Sequence, residues 1–288
     1  MNARLGRRCS LLMIAAILLS CWLAACGEKT ESVDQGQQNE PAFEGSPVWI
    51  VQQFFGRDSF PQAELYLDSS VKATYEETGT TFGTTLAPGV KVKVRSLEAD
   101  TAHSTVAVQI SDSATTFDLY CYVDREPEGW KLSTLRSLAG TRIMWAVVAE
   151  LDTMATIPDS MRYIYENCKL TISSDSTLKA YLIAHQVEFD GMAEVLNANG
   201  VTTRITHKTP PDSANEVTRR VARTLDELHL ASVQADSTGR VEVLVGGVGD
   251  NLVCYLYVPD IDLPPTIDRD RVIYAEHITG RWYIFKTT

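Results

Sequence analysis

Three catalytic signatures are missing from the chain. HExxH, CxxC and GxSxG do not occur, which removes the commoner zinc-hydrolase, dithiol-redox and serine-hydrolase readings. Basic residues are also scarce, with 26 Lys and Arg against 37 Asp and Glu and a formal charge of −11. That balance argues against phosphate backbones, so nucleic acid is not expected as a partner. Six cysteines in 288 residues are too few for a disulfide scaffold. No apolar run approaches the roughly 20 residues that a helix needs to cross a bilayer. What remains is 44% hydrophobic and 8% aromatic, a composition for one or two folded domains.

The N-terminus is read as a leader that is removed. Arg4, Arg7 and Arg8 precede a nine-residue apolar run, Leu11 to Leu19, and Leu23, Ala24, Ala25 and Cys26 follow. Position, apolar run, small residues and Cys together resemble the lipobox of bacterial lipoproteins. The resemblance implies export, cleavage before Cys26, a diacylglycerol thioether on Cys26 and acylation of the new amino group. The membrane is then a partner through that lipid, and two or three chains hold firmly where one is marginal. Plain secretion with a coincidental Cys26 is the alternative. Gly27, where Asp would favour inner-membrane retention, points to an outer-membrane anchor facing the periplasm, ahead of the inner membrane or a cell surface.

Residues 1–25 are thus the signal peptide, and residues 26–45 a lipidated tether rich in Glu, Gln, Gly and Ser that cannot bury enough apolar surface to order itself. Cleavage removes three arginines and no acid, moving the net charge from −11 to −14. Cys121, Cys168 and Cys254 remain for the fold. At most one bridge can form among them, and Cys121 and Cys254, on the apolar phase of strand-like runs, read as buried free thiols.

Residues 46–137 pass from helices to strands. Ser46 and Pro47 start a helix carrying Val48, Val51 and Phe55, and a second helix is expected after Ser59, with Ala63, Tyr66 and Leu67 on one side. From Val90 the period becomes two. Val90, Val92 and Val94 alternate with Lys91, Lys93 and Arg95, and further alternations follow at Val106 to Ile110, Phe117 to Val123, and Trp130 to Leu132. Tyr66-Leu67-Asp68 running on to Tyr75, the Thr105 to Val108 strand and the closing Gly129-Trp130-Lys131 resemble the nuclear transport factor 2-like, or cystatin-like, cone fold. That resemblance implies a curved sheet wrapped on helices around a cavity that holds a ligand, an active site or only a core. By parity Phe117, Leu119, Cys121 and Val123 point inward, and Asp118, Tyr120 and Tyr122 share the other face. His103 falls in a turn.

Residues 138–288 are expected to form a second α+β domain of unknown function. One helix is read from Ser176 to about Asn199, with Leu178, Leu182, His185, Phe189, Met192 and Leu196 on its stripe. Another starts at Ser213, paired with Glu216 in a capping box. Arg219, Arg220 and Arg223 read as a solvated face. Strands follow at Val241 to Val245, Leu252 to Val258, Val272 to Glu276 and Trp282 to Phe285, as a second antiparallel meander. Gly246 to Asp250 is a hairpin turn, not a phosphate loop. Asp260, Asp262, Asp268 and Asp270 read as an exposed acidic loop, because their spacing fits no EF-hand. Tyr255, Tyr257 and the Arg281-Trp282-Tyr283 ending are similar to the C-terminal regions of uncharacterised bacterial lipoproteins.

The expected fold class is α+β, with two small domains that each run from helices into a meander. The expected function is that of a lipid-anchored envelope protein, a non-catalytic ligand-binding or accessory module for a small ligand or an envelope protein. A hydrolase or isomerase using the cone cavity and an envelope assembly factor are the alternatives. Trp49, Tyr66, Tyr120, Trp130 and His185 are the candidate ligand-binding residues. No residue is assigned to catalysis, and no motif calls for a metal or cofactor.

Overall fold

A computed structural model describes residues 42–209, 215–260, 265–268 and 270–288. The expected signal peptide, the expected lipid site Cys26, the expected tether as far as Pro41, and Ser213 and Asp262 lie outside them. The described residues are mixed α+β, with seven α-helices and two antiparallel sheets, and none of the helices is long and apolar enough to cross a membrane. The chain divides between Leu135 and Arg136 into two units.

In the first unit, Ser46 caps helix α1 (Pro47–Phe55) by accepting from the Trp49 N–H at 3.3 Å, and Ile50, Val51, Phe54 and Phe55 are buried. The helix expected after Ser59 is instead a 3-10 turn, Ala63–Leu65. Leu67 then bridges to Leu132, with the Leu132 N–H donating to the Tyr66 carbonyl at 2.8 Å and the Asp68 N–H to the Leu132 carbonyl at 3.0 Å. This capture by a strand delays the helix until Asp68, whose carboxylate accepts from the Ser70 and Val71 N–H groups and starts α2 (Ser69–Thr78). Gly83 lies so close to the Gly56 carbonyl that a Cβ there would sit 2.0 Å from it, so only glycine fits.

The sheet follows the expected alternation. Strands β1 (Lys91–Ala99), β2 (His103–Ser111), β3 (Thr116–Glu126) and β4 (Gly129–Arg136) pair in chain order. Val94 lies opposite Val108, which lies opposite Leu119, and Val106 lies opposite Cys121. These side chains share one core with α1, Leu67 and Val71. On the other face Lys93, Gln109 and Asp118 form a cross-strand row, with the Gln109 amide donating to Asp118 at 3.4 Å.

The second unit contains two helices that periodicity alone had not marked, α3 (Arg142–Asp152) and α4 (Asp159–Thr171). Their contact is the small cluster of Met144, Val148, Leu151, Tyr165 and Cys168. The single helix expected from Ser176 is two, α5 (Asp175–Ala184), capped by Ser174, and α6 (Gln186–Ala198). His185 sits at the break with φ −115° and ψ 23°. Its N–H donates to the Tyr181 and Leu182 carbonyls and its own carbonyl accepts from Glu188 and Phe189, so one residue ends the first helix and opens the second. The apolar stripe survives, since Leu178, Leu182, Phe189 and Leu196 are all fully buried. Helix α7 (Glu216–Glu227) is capped by Asn215 rather than Ser213, its side chain accepting from the Thr218 N–H at 2.8 Å.

The second sheet is not the expected meander. Its six strands, β5 (Ile205–Thr206), β6 (Ser232–Ala235), β7 (Val241–Val248), β8 (Asn251–Tyr257), β9 (Val272–Thr279) and β10 (Trp282–Thr287), run in the order β5-β6-β7-β8-β10-β9. The β8–β9 connection is long enough to skip a position. The β9–β10 hairpin, tight because Gly280 takes φ +55°, then returns β10 against β8. A place inside the edge strand suits β10, in which Trp282, Ile284 and Lys286 are all buried.

Candidate functional site

Helix α4 in the second unit brings more polar side chains together than any residue group singled out from the sequence. Toward the sheet, its Tyr163 hydroxyl donates to the Leu230 carbonyl at 2.8 Å, and the Asn167 amide donates to the His229 and Val245 carbonyls, both at 2.7 Å. These bonds fix the helix. On its other side the buried Tyr165 donates to the Asp152 carboxylate at 2.6 Å, and Lys169 Nζ donates to the Tyr165 hydroxyl at 3.3 Å while lying 4.7 Å from the ring centroid. The hydrogen bond to Tyr165 holds the Lys169 ammonium above its ordinary range.

Two surface depressions flank this Asp152–Tyr165–Lys169 line. One, of about 390 Å³, is lined by Asp152, Met154, Ile157, Arg162 and Tyr165. The other, of about 200 Å³, is lined by Glu166, Lys169, Leu170, Ser173, Tyr181 and His229. His229 takes φ +51°, a left-handed conformation where a helix end favours glycine. Its ring lies 6.0 Å from that of Tyr163, and His207 stacks on Tyr163 at 3.9 Å. Burial pushes the Tyr163 phenol well up and that of Tyr181 up to about 12, so both stay neutral hydrogen-bonding groups at ordinary pH. The smaller depression offers a cation, an acid, a hydroxyl and an imidazole to a polar ligand. The Ser173 hydroxyl donates to the Lys169 carbonyl at 2.8 Å, which ties it to the helix backbone rather than to a base.

The expected ligand-binding residues are scattered. Trp49 and Tyr66 meet around Phe60 at ring distances of 5.1 to 5.7 Å, an aromatic trio at the edge of the first core. Trp130 is half-buried under the Arg125 guanidinium at 5.4 Å. Tyr120 is 1% exposed, on the face opposite Leu119 and Cys121, and Tyr122 beside it is equally buried. His185 lies 4.6 Å from the ring of Tyr181 but does not itself line the smaller depression. His103, expected in a turn, is instead the first residue of β2, where it pairs with Asp124 at 2.8 Å. Sequence reasoning missed Asp152, Arg162, Tyr165, Glu166, Lys169 and His229. Only the helical spacing of α4 could have signalled them, and it does not say which polar face meets a cleft.

All three described cysteines are free and buried, and burial raises each thiol. Among the described residues no three His, Cys, Asp or Glu side chains are placed to hold a metal ion. Comparison of the chain with protein-family models, with curated proteins and with solved structures finds no match.

Proposed function

We propose that this chain is a lipid-anchored protein of the bacterial envelope, held through Cys26 on the periplasmic face of the outer membrane, and that it is a binding module rather than an enzyme. The observation that carries this is the run Leu23-Ala24-Ala25-Cys26 behind a basic start and a nine-residue apolar stretch. The helix-then-meander order of the first unit supports its reading as a cone-fold-like domain. The ligand is assigned to the depression beside α4 lined by Glu166, Lys169, Tyr181 and His229, a setting suited to a small polar molecule.

Mass spectrometry of protein purified from membranes tests the anchor. The chain should begin at Cys26 and carry lipid mass, and Cys26→Ala should leave the leader attached; a Cys26→Ala protein with unchanged processing and partition would sink the anchor. For the binding role, thermal-shift screening of the full chain against small polar metabolites should return a ligand whose shift is lost in Lys169→Ala and kept in Trp130→Ala. A ligand-dependent turnover abolished by Lys169→Ala would overturn the non-catalytic reading.

A further inference from the structure

Two large apolar side chains of the first unit lie outside its core. Phe43 is 79% and Leu65 56% exposed. The Phe43 carbonyl accepts from the Ser46 N–H at 3.0 Å, closing a turn in which Gly45 sits close enough that a Cβ there would lie 4.0 Å from the Tyr66 ring. Tyr66 stacks on Phe60 at 5.5 Å, and Trp49 meets both edge-on. Leu65 adjoins Tyr66 in the chain and the Phe43 turn approaches the Tyr66 ring through Gly45, so both exposed side chains lie near this trio, in which Trp49 and Tyr66 are half-buried and Phe60 is buried; the exposed carboxylates of Glu44 and Glu64 are next to them in the chain.

We propose that this patch is the surface the first unit lays on the neutral lipid interface of the bilayer that holds the Cys26 lipid; the proposal rests on the lipoprotein reading above. Only residues 27 to 41 separate Cys26 from Ala42, a stretch that reaches at most about 55 Å when fully extended. An apolar surface tied that close to a bilayer meets it at high effective concentration, so a contact too weak to hold a free protein becomes populated. The residue types fit the place: Trp and Tyr favour the headgroup level, and Phe and Leu the acyl boundary beneath it. Glu44 and Glu64 disfavour an anionic surface, which selects zwitterionic lipid. The other exposed apolar side chains, Ile143, Ile183 and Val187 among them, belong to the second unit, further along the chain from the anchor.

Full-length lipidated protein in phosphatidylcholine vesicles tests this, with a nitroxide placed by Phe43→Cys, Leu65→Cys or, as the comparison, Val187→Cys. The three described native cysteines are buried. At 43 and 65, collisions with a water-soluble nickel chelate should fall severalfold on reconstitution while collisions with oxygen rise, and 187 should stay as accessible as in detergent. The protection should weaken when phosphatidylglycerol is added. Equal chelate access at 43, 65 and 187 in protein proven lipidated by mass would overturn this inference and leave the lipoprotein reading intact; a chain without lipid mass would overturn both. Protection at 43 and 65 that appears in detergent and grows with protein concentration would assign the patch to a second copy of the chain, and would also overturn it.

Discussion

The two units hold themselves together by different physics. In the first, the face of the sheet that meets α1 presents Val94, Val106, Val108, Leu119, Cys121 and Leu132, an apolar set packed on the helix. The second buries charge. Lys286 Nζ and Asp175 Oδ1 are 2.7 Å apart with both side chains under 5% exposed, and Lys286 lies 5.7 Å from the Tyr274 ring centroid. Next to them Tyr274 donates to Glu276, which pairs with Lys179 at 2.8 Å. The pairs tie the first two turns of α5 to β9 and β10, in the helix whose far end breaks at His185. An apolar core tolerates any shape that fills it, whereas an ion pair in low dielectric demands one register. The lesson is that the same helix-and-sheet composition yields a forgiving unit beside an exacting one.

The largest expected effect breaks the exacting unit. Lys286→Ala removes the ammonium that faces the buried Asp175 carboxylate and should cost about 3–5 kcal/mol. Peptide-resolved hydrogen exchange should show the loss in residues 136–288 and leave 46–135 protected. Replacing both partners, Asp175→Leu with Lys286→Met, should recover most of it; a double variant as unstable as the single one would show that the pair is not the cause. In the forgiving unit, Leu132→Ala removes a fully buried side chain and should cost about 2–5 kcal/mol, within the range for cavity formation. Leu132→Met should be nearly neutral by urea denaturation, and a large loss there would erase the contrast.

His229→Gly sharpens the comparison in the other direction. The left-handed conformation costs a side-chain-bearing residue roughly 1–2 kcal/mol, so glycine should stabilise the second unit by about that amount while weakening any ligand held beside α4. A gain in melting temperature with ligand affinity unchanged would make the conformation mere strain. The smallest effect is on alkaline stability. Tyr181 has its folded pKa raised by burial to about 12, against about 10 for an unfolded tyrosine. Its contribution is therefore complete below pH 10 and lost as pH climbs from 10 toward 12. Tyr181→Phe should flatten the pH dependence of unfolding over that window, and an unaltered profile would remove Tyr181 from the account.

Legibility differed in the same way between the units. Period-two alternation located all four strands of the first sheet, because each has one face buried and the register follows from parity. It failed between Ser59 and Asp68, where Leu67 was claimed by Leu132, a partner 65 positions away. In the second unit α3 and α4 went unread: α3 is apolar on most of its positions and so shows no clean stripe, and in α4 the apolar positions are interrupted by polar side chains that turned out to matter, such as Tyr165 and Lys169. Cys168 was seen only as a thiol, although it sits in the contact of those two helices. The order of β9 and β10 was also invisible, since alternation marks strands and not neighbours.

By itself, the sequence determined the alternating strands of the first sheet, the cap at Ser46, and the run that resembles a lipobox, on which the proposed anchor rests, because each depends on residues within a few positions of one another. Tertiary structure alone decided that β10 lies inside β9, that His185 breaks a helix, that Asp175 meets Lys286, and that Lys169 and His229 line one depression. These depend on groups up to more than a hundred positions apart, which only the closed chain brings within reach of a hydrogen bond or an ion pair.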